Sequence, residues 1–131
     1  MSEEAAAVRE LISAYALSLD ADEIENCLSL FTSDAEFEVY GRVFTGPDGI
    51  REMFTNAPRG LHMTGASQID VDGGFATARS QILFVEAGTS NLRPALYDDE
   101  LVNVGGHWRF RRRRCQFITA SGLSARPQNP A

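Results

Sequence analysis

Few side chains in this sequence can do acid–base or nucleophilic chemistry. Those that titrate nearest neutral pH are two histidines, His62 and His107, and two cysteines, Cys27 and Cys115. Histidine changes protonation nearest neutral pH, so a general base is sought there first. His107 follows Gly105-Gly106 and reads as an exposed residue at a turn. His62, within LHM at 61–63, has two readings: a base facing a pocket, or a core histidine with both ring nitrogens satisfied. Cys27 and Cys115 lack metal-ligand spacing, and two histidines cannot complete a Cys/His zinc set, so neither metal nor cofactor is expected. A disulfide between the two cysteines has no support from context.

Composition narrows the remaining classes. A chain of 131 residues fits one domain, and 44% hydrophobic residues suffice for a packed core. The net charge is −6 and there is no lysine, which argues against nucleic-acid or anionic-membrane partners. The start, MSEEAAAVRE, has no hydrophobic signal core, and no apolar run approaches the roughly 20 residues of a membrane span. The expectation is a soluble, cytoplasmic protein.

The elements that must position any site follow from periodicity. Val8, Leu11, Ile12, Tyr15, Ala16 and Leu19 recur at helical spacing, predicting an amphipathic helix over 3–19 opened by Ser2. Asp22 and Glu25 resemble a capping box for a second helix that buries Ile24, Cys27, Leu28, Leu30 and Phe31, which leaves Asp20 in the connection. AEFEVYG (35–41) alternates as a strand with Phe37 and Val39 on one side, and Gly46-Pro47 opens a short helix. Strands are predicted at 61–71, 75–85, 95–104 and 107–119, with hairpin turns at Asp72-Gly73-Gly74 and Gly105-Gly106 and a longer loop at 86–94. This order predicts an α+β domain over 1–120, with helices on one face of an antiparallel sheet and a loose tail over 121–131.

HWRFRRRRCQF (107–117) places four consecutive arginines in the last long strand, interleaved with Trp108, Phe110 and Phe117. Regular alternation sends Arg112 and Arg114 to one face and Arg111 and Arg113 to the other. The run therefore reads as a strand with divided charges and not as a basic arm.

With these elements in place, YALSLDADEIENCLSLFTSDAEF (15–37), GPDGI (46–50), LHM (61–63) and YDDELVNVGGHWRFRRR (97–113) together resemble the SnoaL-like branch of the nuclear-transport-factor-2-like superfamily. The resemblance covers nearly the whole chain before the tail. It implies a cone-shaped domain, a curved sheet wrapped around the N-terminal helices, one apolar pocket and frequent dimerisation. The superfamily holds dehydratases, isomerases, dehydrochlorinases, cyclases, dioxygenase small subunits and binders, so fold alone does not assign function.

Scytalone dehydratase, bile-acid 7α-dehydratase and hexachlorocyclohexane dehydrochlorinase are similar in carrying an aspartate after the first helix and a histidine at the start of the strand after the short helix. Asp20 and His62 stand at those positions. The dehydratases also carry a tyrosine like Tyr15, and the dehydrochlorinase a last-strand arginine like Arg113. The resemblance thus implies His62 as base, Asp20 as its orienting partner, Tyr15 as an oxygen-binding hydroxyl and Arg113 as a substrate contact. Each has a structural alternative: Asp20 as a cap, Tyr15 as core, and Arg113 paired with Asp98 or Asp99. The chain also departs from relatives. The isomerase aspartate is replaced by Val39, with Glu38 facing the other way, and the second dehydratase histidine has no counterpart in ATARSQILF (76–84), which offers Arg79 and Ser80.

The implied function is a cofactor-independent lyase or isomerase that acts on a small, largely apolar molecule, cyclic ones included, as a homodimer or homo-oligomer. The alternative is a non-catalytic ligand binder or small subunit resembling those of ring-hydroxylating dioxygenases.

Overall fold

Ser2 accepts a hydrogen bond at its Oγ from the Ala5 N–H (3.1 Å) and opens α1, Glu3–Asp20, in the computed structural model, which describes residues 2–129. Two acids in the first turn complement the helix dipole. One face of α1, with Val8, Leu11, Ile12 and Tyr15, is buried. The next helix, α2 (Ile24–Leu28), is only five residues long. The expected capping box is absent. Asp22 adopts positive φ (+65°) and pairs with Arg59 at 3.0 Å, while Glu25 takes a two-pronged contact from Arg51, both distances 2.9 Å.

Phe31 belongs to β1 (Phe31–Val39) and not to the preceding helix, because it pairs with Phe110 in the sheet. A further strand, β2 (Arg42–Thr45), folds back on β1 through Tyr40-Gly41. Both turn residues have positive φ, +56° and +73°, as a two-residue type I′ hairpin requires. Tyrosine is a rare occupant of such a position, and that masked the turn in the sequence.

After α3 (Gly46–Asn56), with Pro47 in its first turn, come β3 (Gly60–Asp72), β4 (Phe75–Glu86), β5 (Leu92–Val104) and β6 (His107–Thr119). A short β7 (Gly122–Ser124) pairs with β6, so the expected loose tail is corrected there: its first residues are strand. The sheet order is β2-β1-β6-β5-β4-β3, with β7 also on β6. Helices and sheet make the expected α+β fold, but the sheet is mixed. The β1–β6 pair, whose strands lie far apart in the chain, is parallel, whereas every other pair among the described residues is antiparallel.

Two local departures matter for the site. Arg93 and Pro94, assigned to a loop by sequence, lie in β5. Pro94 is tolerated because the β5–β6 pairing ends at Ala95, leaving its missing N–H without a role on that side. The second departure is a bulge. Glu100 pairs with Arg112 but Leu101 pairs with Phe110, so Arg111 is extra and the alternation of β6 reverses phase across it. Trp108 and Phe110 point inward before the bulge, and Arg113, Cys115 and Phe117 after it. The expectation that Arg111 and Arg113 share a face is therefore corrected: Arg111 is exposed and Arg113 is interior.

Candidate active site

The concave side of the sheet, α1 and α3 enclose a cavity of about 540 Å³. Its walls include Phe37, Met53, Phe54, Ile82, Phe84 and Phe117, all apolar, with a few polar side chains set among them.

Asp20 is the last residue of α1, and His62 is the third of β3. The helix packs on that strand, which is the edge of the sheet. An edge strand leaves N–H groups without ladder partners. Asp20 supplies one: the His62 backbone N–H donates to Oδ2 at 2.7 Å. The other carboxylate oxygen, Oδ1, lies 2.6 Å from His62 Nδ1. One carboxylate thus fixes both the backbone and the ring of the same residue. With Asp20 ionised, Nδ1 carries the proton and donates it, leaving the Nε2 lone pair free. Burial pushes the His62 pKa below its ordinary value despite the opposing pull of Asp20, and Arg113 adds to the lowering. The shift favours the neutral ring, the form that can accept a proton.

The ring of Tyr15 stands edge-on to His62 with centroids 6.4 Å apart, and Tyr97 of β5 stands edge-on to Tyr15 at 5.9 Å. Both tyrosines line the cavity. Burial, the main cause, pushes both phenols well above the usual range, so each keeps its proton as a donor. Tyr97 escaped notice in the sequence; the signal available was its inward phase with Ala95 and Asp99 in β5.

Arg113, expected to contact substrate, is not among the cavity-lining residues. The bulge at Arg111 turns it beneath the site, 1% exposed. Its guanidinium carbon lies 4.2 Å from the Tyr15 ring centroid, 3.7 Å from that of Tyr97 and 4.6 Å from that of Phe110. Nε is 3.2 Å from Asp99 Oδ1, close enough for ion pairing but not aligned as a hydrogen bond. Burial pushes the Asp99 carboxyl up to about 6 even so. Two of the three rings it stacks against, Tyr15 and Tyr97, line the cavity.

His107 is exposed, and Cys27 and Cys115 are both free and buried. Among the described residues no cluster of three or more His, Cys, Asp or Glu side chains could hold a metal ion, and no helix is long and apolar enough to cross a membrane.

A family profile described as a SnoaL-like domain matches residues 1–114. A search of curated proteins gives no match. Among solved structures, the chain is similar to Rv3472 of Mycobacterium tuberculosis, of unknown function, with 29% identity over 90% of this chain and 74% of that one, TM-score 0.82. It is also similar to a candidate scytalone dehydratase from Novosphingobium aromaticivorans, with 26% identity over 97% and 92% of the two chains, TM-score 0.79. A hexachlorocyclohexane dehydrochlorinase of type 2 is 19% identical over 95% and 92% of the chains, TM-score 0.76, a likeness of fold.

Proposed function

Because the chain belongs to the SnoaL-like domain family, whose fold is shared by a candidate dehydratase and a dehydrochlorinase, we propose that it is a cofactor-independent lyase or isomerase acting on a small, largely apolar molecule. The observation that carries this reading is the two-point hold of Asp20 on His62 in the wall of an apolar cavity.

His62 Nε2 takes a proton from a carbon made acidic by a neighbouring carbonyl or leaving group. The C–H electron pair becomes the new double bond. In an elimination the leaving group departs from the adjacent carbon with its own bonding pair; in an isomerisation the imidazolium returns the proton elsewhere on the conjugated system. Asp20 stabilises the imidazolium and holds the tautomer, as a carboxylate does in hydrolase triads. The Tyr15 hydroxyl holds the oxygen on which negative charge develops. Arg113, from below, fixes the rings that present those hydroxyls. The assembly proposed is a homodimer, which sedimentation of the purified protein would report.

The test is turnover of hydroxy-carbonyl and halogenated cyclic compounds by wild type, His62→Ala and Asp20→Asn. A general base contributes about 10²–10⁴-fold, so His62→Ala should lose activity on that scale, and Asp20→Asn should lose most of it with the fold intact. Unchanged rates in both variants would remove the dyad from catalysis, whereas no turnover by wild type would favour a binder or a subunit of a larger enzyme.

A further inference from the structure

The cavity has a second polar end that the dyad does not use. His62 pairs across the sheet with Phe84, and Phe84 pairs with Arg93. The three residues stand in one row over β3, β4 and β5, and all three line the cavity. Neighbouring strands lie about 4.8 Å apart, which puts the backbones of His62 and Arg93 about 10 Å apart. Phe84 fills the middle of the row, its ring 4.6 Å from that of His62.

At the far end, Arg93 Nη1 donates to the Tyr40 hydroxyl oxygen at 2.9 Å. Arg93 Nη2 lies 3.6 Å from Glu86 Oε1. The other Glu86 oxygen is already taken by Asn91 Nδ2 at 2.9 Å and Thr89 Oγ1 at 3.1 Å. Tyr40 holds this place at positive φ, with its ring stacked on Phe117 at 5.5 Å.

Two consequences follow from donor and charge counting. The Tyr40 oxygen accepts from Arg93, so the phenol's own hydrogen is left to donate, and the arginine makes it a stronger donor. The Arg93 charge is balanced by Glu86, so the end as a whole is close to neutral. A ligand carboxylate here would meet Glu86 as well as Arg93. A neutral oxygen acceptor carries no charge for Glu86 to repel and can take the phenol's hydrogen.

We propose that Tyr40, backed by Arg93, is a binding subsite for a neutral carbonyl oxygen at the end of the ligand remote from His62. The substrate class is then a ring system long enough to cover Phe84, with its reacting carbon at His62 and a carbonyl at Tyr40. The orientation rests on the dyad reading above; the carbonyl preference does not.

The experiment compares three shape-matched probes by calorimetry: 2-acetylnaphthalene (ketone), 2-ethylnaphthalene (no oxygen) and 2-naphthoate (carboxylate). Wild type should bind the ketone about tenfold more tightly than the hydrocarbon, the worth of one good hydrogen bond, and more tightly than the carboxylate. Tyr40→Phe keeps the ring on Phe117 and should erase the ketone preference while leaving hydrocarbon affinity in place. Arg93→Gln should reduce it, and His62→Ala should preserve it. Equal affinity for ketone and hydrocarbon in wild type, absence of ketone binding up to its solubility, carboxylate binding tightest, or a preference that survives Tyr40→Phe would each overturn the proposal. Turnover lost in His62→Ala with the ketone preference kept separates the two readings, since each can fail without the other.

Discussion

Asp20 commits both carboxylate oxygens to one residue, and the base role proposed for His62 rests on that two-point hold. A single bond to Nδ1 would leave the ring free to pivot; the second, to the backbone N–H, ties strand and helix end together. Burial and Asp20 act on the ring in opposite senses, and burial prevails. In an NMR titration, His62 should therefore show a midpoint below the ordinary 6.5, and Asp20→Asn should move it further down, because the carboxylate is what holds it up. An upward or absent shift in Asp20→Asn would mean that the two side chains are not coupled in solution. The same sign governs stability. As pH falls below about 6.5, the unfolded chain takes up a proton that folded His62 resists, so stability drops; above that range His62 contributes no pH dependence. In urea melts the stability gap between wild type and His62→Gln should change only on the acid side, and the kcat/KM profile should fall on that side with the titration midpoint of the free enzyme.

At the scale of elements, the β5–β6 pair decides what the arginine run does. One extra residue, Arg111, reverses the phase of β6 and brings a single arginine into the interior. There Arg113 stacks against three aromatic rings and faces Asp99. A buried charge whose partner is removed costs about 3–5 kcal/mol. Arg113→Met should lower unfolding free energy by that amount in urea titrations, because Asp99 is left buried and alone. Adding Asp99→Leu should recover much of the loss, since an apolar pair of similar volume carries no desolvation cost. If the double variant is as unstable as the single one, ring stacking and not ion pairing is the main contribution of Arg113.

For the whole molecule, charge pairing explains why an acidic protein tolerates four arginines in a row. Arg111 lies 3.7 Å from Glu100, Arg112 3.1 Å from Glu38, and Arg114 3.2 Å from Asp98, all on the outer face of the sheet. Such exposed pairs add little stability, but they leave no concentrated positive field. With a net charge of −6, the protein should pass through heparin and duplex-DNA columns unretained at physiological salt. Retention that weakens steeply with added salt would mean the arginines are available to a polyanion. The inner face of the same sheet is apolar, and its curvature around α1 leaves the cavity that the polar side chains enter from the walls.

By itself the sequence determined the order of the helices and of the long strands, the inward phase of Phe37 and Val39, the hairpin at Gly105-Gly106 and, through resemblance, the positions of Asp20 and His62. These are local or periodic signals: helical spacing, alternation and glycine turns act between residues a few positions apart. Only the tertiary structure decided that β1 and β6 run parallel, that Arg113 lies beneath the cavity and not in its wall, and that Tyr40, Arg93 and Glu86 meet at its far end. Each of these depends on register between strands distant in the chain. A bulge of one residue inverts every side chain beyond it, and nothing in RRRR marks which arginine is the extra one. Tyr40 and Arg93 lie 53 positions apart, one at a turn where tyrosine is unusual and the other beside a proline that reads as a loop. Long-range pairing, which local propensity does not encode, brought them together.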